Sequence, residues 1–215
     1  MTTGDRIAGI EYAILEAREL GAMAGLLAEA FSGHEPPAVA VGLSALEIEG
    51  VVRTFGDKAV GERLSLVARV ASTGTLAGAL LGEDFGTPPP AGLDDVSPRF
   101  APIRALLDGL DERYRASRDI LPGAYAHLFM VGVAQDYAGQ GIAQQLVTRC
   151  LANARARGYR VAVTEATGTT SQHVFRKLGF REVLATRYQD FRFRGRRVFS
   201  SIVGPDATVL MERAL

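Results

Sequence analysis

The chain has 215 residues, of which 47% are hydrophobic and 22% charged, an ordinary composition for a globular protein. Its 24 Lys and Arg balance its 24 Asp and Glu, so the formal net charge is zero, which disfavours a dedicated nucleic-acid-binding protein. The single cysteine excludes an intramolecular disulfide framework and any zinc site built from several cysteines.

The sequence shows no sign of membrane insertion or export. No apolar run reaches the roughly 18 residues that a membrane span needs. Residues 1–6 lack the basic and apolar regions of a secretory signal, so we expect a cytoplasmic protein with no membrane partner.

Periodicity and turn residues predict the elements of the first half. In chain order they are a strand at 10–15, a helix at 20–31 ended by Gly33, a rigid loop at 35–37, a helix from Ser44 to Gly56, a strand hairpin at 64–70 and 75–81, and a helix at 100–117. Ser44 and Glu47 form the expected capping box of the second helix. The stretch at 83–97 is rich in Pro, Gly and Asp and is predicted to be a loop. We therefore expect one domain over residues 1–215, with a loop–helix insertion at about 83–121.

The second half alternates strands with helices. The predicted elements are a buried strand at 127–133, a long helix from 142 ended by Gly158, a buried strand at 160–164, a short helix at 171–178, a pairing of 191–199 around Gly195, and a last strand at 208–211. This order indicates an α/β domain with a mixed sheet.

The turn between the strand at 127–133 and the long helix is a candidate anion site. Gly139 and Gly141 permit a tight turn and leave the first amides of the helix free to face a ligand. The turn carries neither the lysine of a phosphate-binding P-loop nor the three-glycine spacing of a dinucleotide site. From the glycines alone, a tight turn without a ligand is the favoured interpretation.

The same turn resembles motif A of the GNAT acetyltransferase superfamily, Arg/Gln-x-x-Gly-x-Gly/Ala. Gly141 and Ala143 occupy the last two fixed positions, whereas Ala138 stands where the family usually has Arg or Gln. Residues 175–180, Phe-Arg-Lys-Leu-Gly-Phe, resemble the end of motif B, with Phe175 at a position that is usually tyrosine. Residues 31–36 and 188–199 are similar to segments of the arylalkylamine N-acetyltransferase branch found in insects.

The resemblance implies the GNAT fold, a splayed central mixed sheet flanked by helices. It also implies an N-acetyltransferase that moves an acetyl group from acetyl-CoA to a primary amine by direct attack in a ternary complex. The cofactor contacts implied are the exposed strand edge and the turn, with one aromatic residue: Val131, Gly132, Val133, Ala138, Gly139, Gln140, Gly141, Ile142, Ala143 and Phe175. A backbone amide of the strand edge would polarise the thioester carbonyl.

Two side chains are candidates for catalysis. Glu35 matches the family glutamate and would remove the proton of the substrate ammonium, although a solvated loop carboxylate is the alternative. Ser171 matches a serine of the arylalkylamine branch and could donate a hydrogen bond to the leaving thiolate or position the amine. As the first residue of a predicted helix, it is also a good N-cap.

The remaining reactive residues favour structural roles. Cys150 lies on the apolar stripe of the long helix. His34 and His173 are expected on the surface and His127 in a structural position, and their spacing predicts no metal site. We find no acidic cluster in the sequence that would select polyamines or aminoglycosides.

The sequence leaves several alternatives for the acceptor. Phe100, Tyr114 and Tyr125 could wall a pocket for an aromatic amine, or could fill a helix–sheet interface. A small arylalkylamine-like amine is the leading expectation. A protein or peptide amine, and a catalytically inactive acyl-CoA-binding sensor, are the alternatives. One basic cluster is present, formed by Arg187, Arg192, Arg194, Arg196 and Arg197. It indicates either an exposed face, or a contact with an acidic partner or with a second protomer of a homodimer.

Overall fold

The computed structural model describes residues 9–215, so the segment 1–6 used to judge secretion lies outside the described residues. Seven strands form one mixed sheet in the order β1-β2-β3-β4-β5-β7-β6. Their bounds are β1 Ile10–Ile14, β2 Leu66–Val70, β3 Leu76–Asp84, β4 Tyr125–Val133, β5 Val161–Ala166, β6 Arg181–Arg187 and β7 Ala207–Ala214. The β4–β5 pair is parallel, and the other pairs of these described strands are antiparallel.

Six helices cover the two faces of the sheet. They are α1 Leu20–Ser32, α2 Pro36–Val41, α3 Ala45–Gly61, α4 Ala101–Arg115, α5 Ile142–Ala156 and α6 Thr169–Lys177. Alternate residues of the central strands point to opposite faces, which gives two apolar cores. Val67 and Leu81 pack with α1 and α3, whereas Leu66 and Leu80 pack with α5. In the described range, no helix combines the length and apolarity needed to traverse a bilayer.

The helices of the first half differ from the prediction in two places. The segment at 35–37 is not a loop, because Glu35 is the N-cap of α2 and Pro36 its first residue. Proline suits that position, since the first turn needs no N–H donor and its fixed φ is helical. Gly56 breaks the helix as predicted, because its conformation is non-helical (φ 16°, ψ −105°), but a further helical segment continues beyond this kink to Gly61 and buries Ala59.

Strands β4 and β7 are two and four residues longer than predicted and β5 is shifted by one or two residues, and three further differences concern β3, β6 and residues 191–199. Strand β3 runs to Asp84, so the long connection to β4 begins at Phe85 rather than at 83. Strand β6 was not predicted. Residues 191–199 do not form a strand hairpin; an isolated bridge joins Phe193 and Arg196.

The centre of the sheet is split between β4 and β5. The two strands pair at three positions, from Tyr125↔Val161 to His127↔Val163, and not beyond. Just past this point the β3–β4 register shifts, and Phe129 is the extra residue on β4. The strands then diverge and leave a gap in the sheet. The expected splayed mixed sheet is confirmed.

Candidate active site

A cavity of about 500 Å³ opens at the gap between β4 and β5. It is bounded by α1, α2, α3, α6, the N-terminal parts of α4 and α5, and the C-terminal parts of β4 and β5. Residues that matter for the chemistry line it: Phe31, Glu35, Phe100, Phe129, Val131, Ala143, Thr167, Ser171 and Phe175. The cavity therefore brings one candidate base, two cofactor elements and several apolar side chains to one place.

Glu35 faces this cavity from the start of α2. Its Oε2 accepts the Ala38 N–H at 2.5 Å, and the Thr167 side chain forms a second hydrogen bond to the carboxyl group. Burial raises the pKa of Glu35 to about 7, although both hydrogen bonds act in the opposite direction. A carboxyl group that titrates near neutral pH can accept and release a proton under cellular conditions.

Tyr188 holds the segment that contacts Glu35. Its hydroxyl donates to the Thr167 carbonyl at 2.6 Å and accepts from the Thr208 hydroxyl at 3.0 Å. Burial raises the pKa of Tyr188 well above its usual value, so the phenol stays neutral and keeps donating. Tyr188 thus fixes the backbone at Thr167, whose side chain contacts Glu35, an arrangement that the sequence did not indicate.

The glycine turn has the geometry of a backbone anion site. Gly139 and Gly141 both lie in the left-handed region, at φ 74° and 80°, and Gly141 is the N-cap of α5. Ala138, Gly139 and Gln140 are exposed, and a side chain at Gly139 would meet no atom within 4 Å. The first amides of α5 have no intrahelical acceptor, so they can bind a phosphate group with help from the helix dipole.

The two residues after the turn differ in their surroundings. Ile142 is buried in the core beside β4, whereas Ala143 lines the cavity. Ala138 supplies only its backbone, because no polar side chain exists there. The donor set fits a pyrophosphate bound through amides rather than through charged side chains.

Val131 and Val133 direct their backbone groups into the gap. The Ala134 N–H donates to the Ala77 carbonyl of β3, and strand residues alternate in direction, so Gly132 also faces β3. The N–H groups of Val131 and Val133 are left for a ligand between the strands. Gly132 matters for packing instead, because a side chain at this position would collide with α1.

Ser171 is the third residue of α6, so the prediction that it is the N-cap was wrong; Gly168 holds that position. The Ser171 hydroxyl nevertheless donates to the Gly168 carbonyl at 2.9 Å and accepts the Gly168 N–H at 3.1 Å, which stabilises the helix start. Phe175 is buried, packs edge-to-face on Phe180 and also reaches the cavity. It has no group that could protonate a leaving thiolate.

The structure brings together an acidic cluster that does not stand out in the sequence. His127 lies buried on β4, with Nδ1 3.0 Å from Glu83 on β3 and Nε2 2.7 Å from Glu165 on β5. Asp111 on α4 contacts the same Glu165 carboxylate. Burial acts against it, but the two glutamates raise the pKa of His127 well above its usual value, so the ring is an imidazolium.

The cluster lines a second cavity of about 450 Å³, beneath the long connection between β3 and β4. Four residues face both cavities: Phe100, Leu107, Phe129 and Glu165. Of the aromatic residues considered for the acceptor pocket, Phe100 therefore lies at the site. Tyr114 does not, because it is buried between helix and sheet, where its hydroxyl donates to Glu212 and its ring meets Tyr125 edge-to-face.

Other reactive residues lie where the sequence placed them. Cys150 is fully buried, its Sγ is 3.4 Å from the Leu64 carbonyl, and burial raises its pKa to about 12, which fits a structural thiol. His34 and His173 are exposed. Throughout residues 9–215, no group of three His, Cys, Asp or Glu side chains has the geometry to hold a metal ion.

Comparison with known proteins identifies the fold. The sequence model of the acetyltransferase (GNAT) family matches residues 62–180, which is more than half of the chain. Among solved structures, the C-terminal condensation domain of Ebony in complex with beta-alanyl-dopamine has a TM-score of 0.88 at 15% identity, covering 96% of this chain and 99% of that one.

Two N-acetyltransferases show the same likeness. Arylalkylamine N-acetyltransferase 2 from Aedes aegypti has a TM-score of 0.78 at 20% identity, with 95% and 98% of the two chains covered. The polyamine N-acetyltransferase of Drosophila melanogaster, which catalyses the formation of N-acetylagmatine, has a TM-score of 0.67 at 17% identity, with 96% and 100% covered. At identities this low, the structural likeness establishes a shared fold only.

Proposed function

Because the chain belongs to the GNAT family of acetyltransferases, we propose that it transfers an acetyl group from acetyl-CoA to the primary amine of a small molecule. One observation supports this most strongly. Burial raises the pKa of Glu35 to about 7. Glu35 faces the same cavity as the free edge of β4 and as Ala143, which follows the glycine turn. A base, a place for the thioester and an anion site thus adjoin one another.

Backbone groups would hold the acyl donor. The amides at Gly139 and Gly141 and in the first turn of α5 suit the pyrophosphate, and the gap between β4 and β5 suits the pantetheine arm. The N–H groups of Val131 and Val133 can bond to that arm or to the carbonyl oxygen of the thioester.

Glu35 would make the amine nucleophilic. A primary amine arrives mainly as an ammonium ion at neutral pH, and Glu35 removes one proton from it. The amine nitrogen then forms a bond to the carbonyl carbon and the carbon–sulfur bond breaks. The departing thiolate takes up the second proton, which the nitrogen loses as the amide forms. No side chain need form a covalent intermediate, which agrees with the burial of Cys150.

The acceptor side of the cavity is mainly apolar. Phe31, Phe100 and Phe129 line it together with aliphatic side chains. This surface suits the ring or methylene chain of a small amine, and an arylalkylamine is the acceptor we favour. The arylalkylamine and polyamine N-acetyltransferases of the same fold support a small amine in general terms.

A catalytically inactive acyl-CoA-binding sensor is the second candidate. Ala138 lacks the side chain usual in the family turn, and Phe175 cannot protonate a thiolate. Such a protein would bind acetyl-CoA and acetylate no amine.

The deciding experiment is an acceptor screen. The purified protein is incubated with acetyl-CoA and a panel of arylalkylamines, polyamines, aminoglycosides, amino acids and short peptides, and products are detected by mass spectrometry. We expect one class of amine to be acetylated and Glu35→Gln to lose that product while still binding acetyl-CoA. Binding of acetyl-CoA without any product from the unaltered protein would favour the sensor instead.

A further inference from the structure

The wall between the two cavities carries a pair of carboxyl groups that the proposed reaction does not use. Asp111 comes from α4 and Glu165 from β5, and the two side chains are within hydrogen-bonding reach of each other. Glu165 lines both cavities, and Asp111 lines the second. The Glu165 side chain is only 3% exposed.

One oxygen of each carboxyl group lacks a donor. His127 occupies Glu165 Oε2, but in the part of the chain that the structure describes no donor reaches Glu165 Oε1 or Asp111 Oδ1. Buried oxygens without a donor cost free energy, so such a pair calls for something positive or protonated between its members.

His127 contacts Glu165 but not Asp111, and the other cations around the pair are bound to other groups. Lys58 of α3 contacts Glu62 and Glu83, and Glu83 also holds His127. Arg115 of α4 donates to the Phe85 carbonyl and covers the Phe85 ring.

The remaining arginine at this cavity is also paired. Arg104 contacts Asp94 and Asp108. Asp111 and Glu165 therefore share no cation, and burial together with the Glu165 charge raises the pKa of Asp111 to about 9. Although the His127 charge acts in the opposite direction, Asp111 has no cation of its own, so it keeps its proton and shares it with Glu165.

We propose that Asp111 and Glu165 bind a positively charged amino group on one of the two reactants, distinct from the amine that is acetylated. An ammonium group offers three N–H donors and can satisfy both free oxygens at once. The apolar residues shared by the two cavities, Phe100, Leu107 and Phe129, suit a short hydrocarbon spacer between this group and the reacting atom.

Two kinds of reactant could carry this group. One is an acceptor with two amino groups, and the other is an acyl group with an amino substituent. This inference rests on the proposed function only for the identity of the reacting amine.

The first test measures binding alone. Isothermal titration calorimetry at pH 8, in two buffers of different ionisation enthalpy, compares 1,5-diaminopentane with pentylamine. We expect the diamine to bind at least about tenfold more tightly, as a charge-assisted hydrogen bond would provide, and to release close to one proton as Asp111 ionises. Equal affinities, or binding of the diamine without proton release, would overturn the proposal.

Two variants make this test specific. Asp111→Asn is neutral and can still donate to Glu165, so it should fold while abolishing the proton release and the preference for the diamine. Glu112→Gln is the matched control, because Glu112 is the next residue on α4, is exposed and lines the same cavity. It should retain both effects, and their loss in this control would refute the assignment to Asp111.

The second test identifies which reactant carries the group. One arm compares 1,5-diaminopentane with pentylamine as acceptors for acetyl-CoA. The other compares β-alanyl-CoA with propionyl-CoA as donors to phenethylamine. If kcat/KM is at least tenfold higher for the amino-bearing reactant of one arm, and this preference is lost in Asp111→Asn, that reactant carries the bound amino group. No preference in either arm contradicts the proposal. Proton release without turnover on any amine would instead refute the proposed reaction and leave this site standing.

Discussion

Replacing Glu35 by Gln should make the protein more stable and less active at the same time. Gln has the same size, and its amide oxygen can still accept the Ala38 N–H at the start of α2. What the substitution removes is the ability to carry a negative charge. It therefore isolates the free energy that the folded state loses when Glu35 ionises inside the cavity.

The sign and size of this effect follow from the pKa. In the unfolded chain the carboxyl group titrates near 4.5, and burial raises its pKa to about 7 in the folded protein. Between these values the folded state holds more protons than the unfolded state, so stability falls as the pH rises through this window. Each pKa unit corresponds to about 1.4 kcal/mol, so the shift sets an upper limit of roughly 3.5 kcal/mol. Because the carboxyl group lines a cavity that water can enter, we expect about 2 kcal/mol.

The assay combines unfolding with kinetics. Urea denaturation of both proteins at about pH 4.5 and pH 8 should show the stability advantage of Glu35→Gln growing by about 2 kcal/mol towards the higher pH. The kcat/KM of the unaltered enzyme should rise through about pH 7, and the variant should lose about a hundredfold at pH 8. A stability difference that does not change with pH would refute the raised pKa. A growing difference with an unchanged pH–rate profile would remove Glu35 as the base.

Three further predictions concern the turn, the start of α6 and the thiol. Gly141→Ala should weaken acetyl-CoA binding at least tenfold by calorimetry and lower the free energy of unfolding by about 1 kcal/mol. Gly158, at φ 92° beyond the other end of α5, is the control: Gly158→Ala should lower the free energy of unfolding by a similar amount without affecting binding. Ser171→Ala should lower stability by about 1 kcal/mol in urea yet keep kcat, and a tenfold loss of kcat would place its hydroxyl in the chemistry. The Cys150 thiol should resist a thiol reagent in the folded protein and react fully in urea; rapid reaction under native conditions would contradict its burial.

Features that depend on neighbouring residues were predictable from the sequence. Helix α5 has apolar residues at helical spacing, including Ile142, Leu146 and Cys150, and all three are buried. The two glycines before it specify the turn, because few other residues adopt a positive φ at low cost. The resemblance to the acetyltransferases rested on this local segment and led to the correct family.

Features assembled from distant segments were not predictable in the same way. The acidic cluster joins Glu83, Asp111, His127 and Glu165, which lie on four different elements, so no spacing in the sequence reveals it. Strand β6 escaped notice for another reason. It lies at the edge of the sheet and has no fully buried residue, so it lacks the alternation of a half-buried strand.

Gly132 has a consequence that reaches beyond packing. A Cβ atom at this position would lie 2.9 Å from the Ala30 Cβ and 3.0 Å from Leu27, so any larger residue would push α1 away from β4. The last turn of α1 leads directly to Glu35. In the proposed reaction, the closeness of helix and strand would therefore set the distance between Glu35 and a thioester bound at β4. Gly132→Ala should then slow proton transfer, although it changes no side chain that is proposed to touch the substrates.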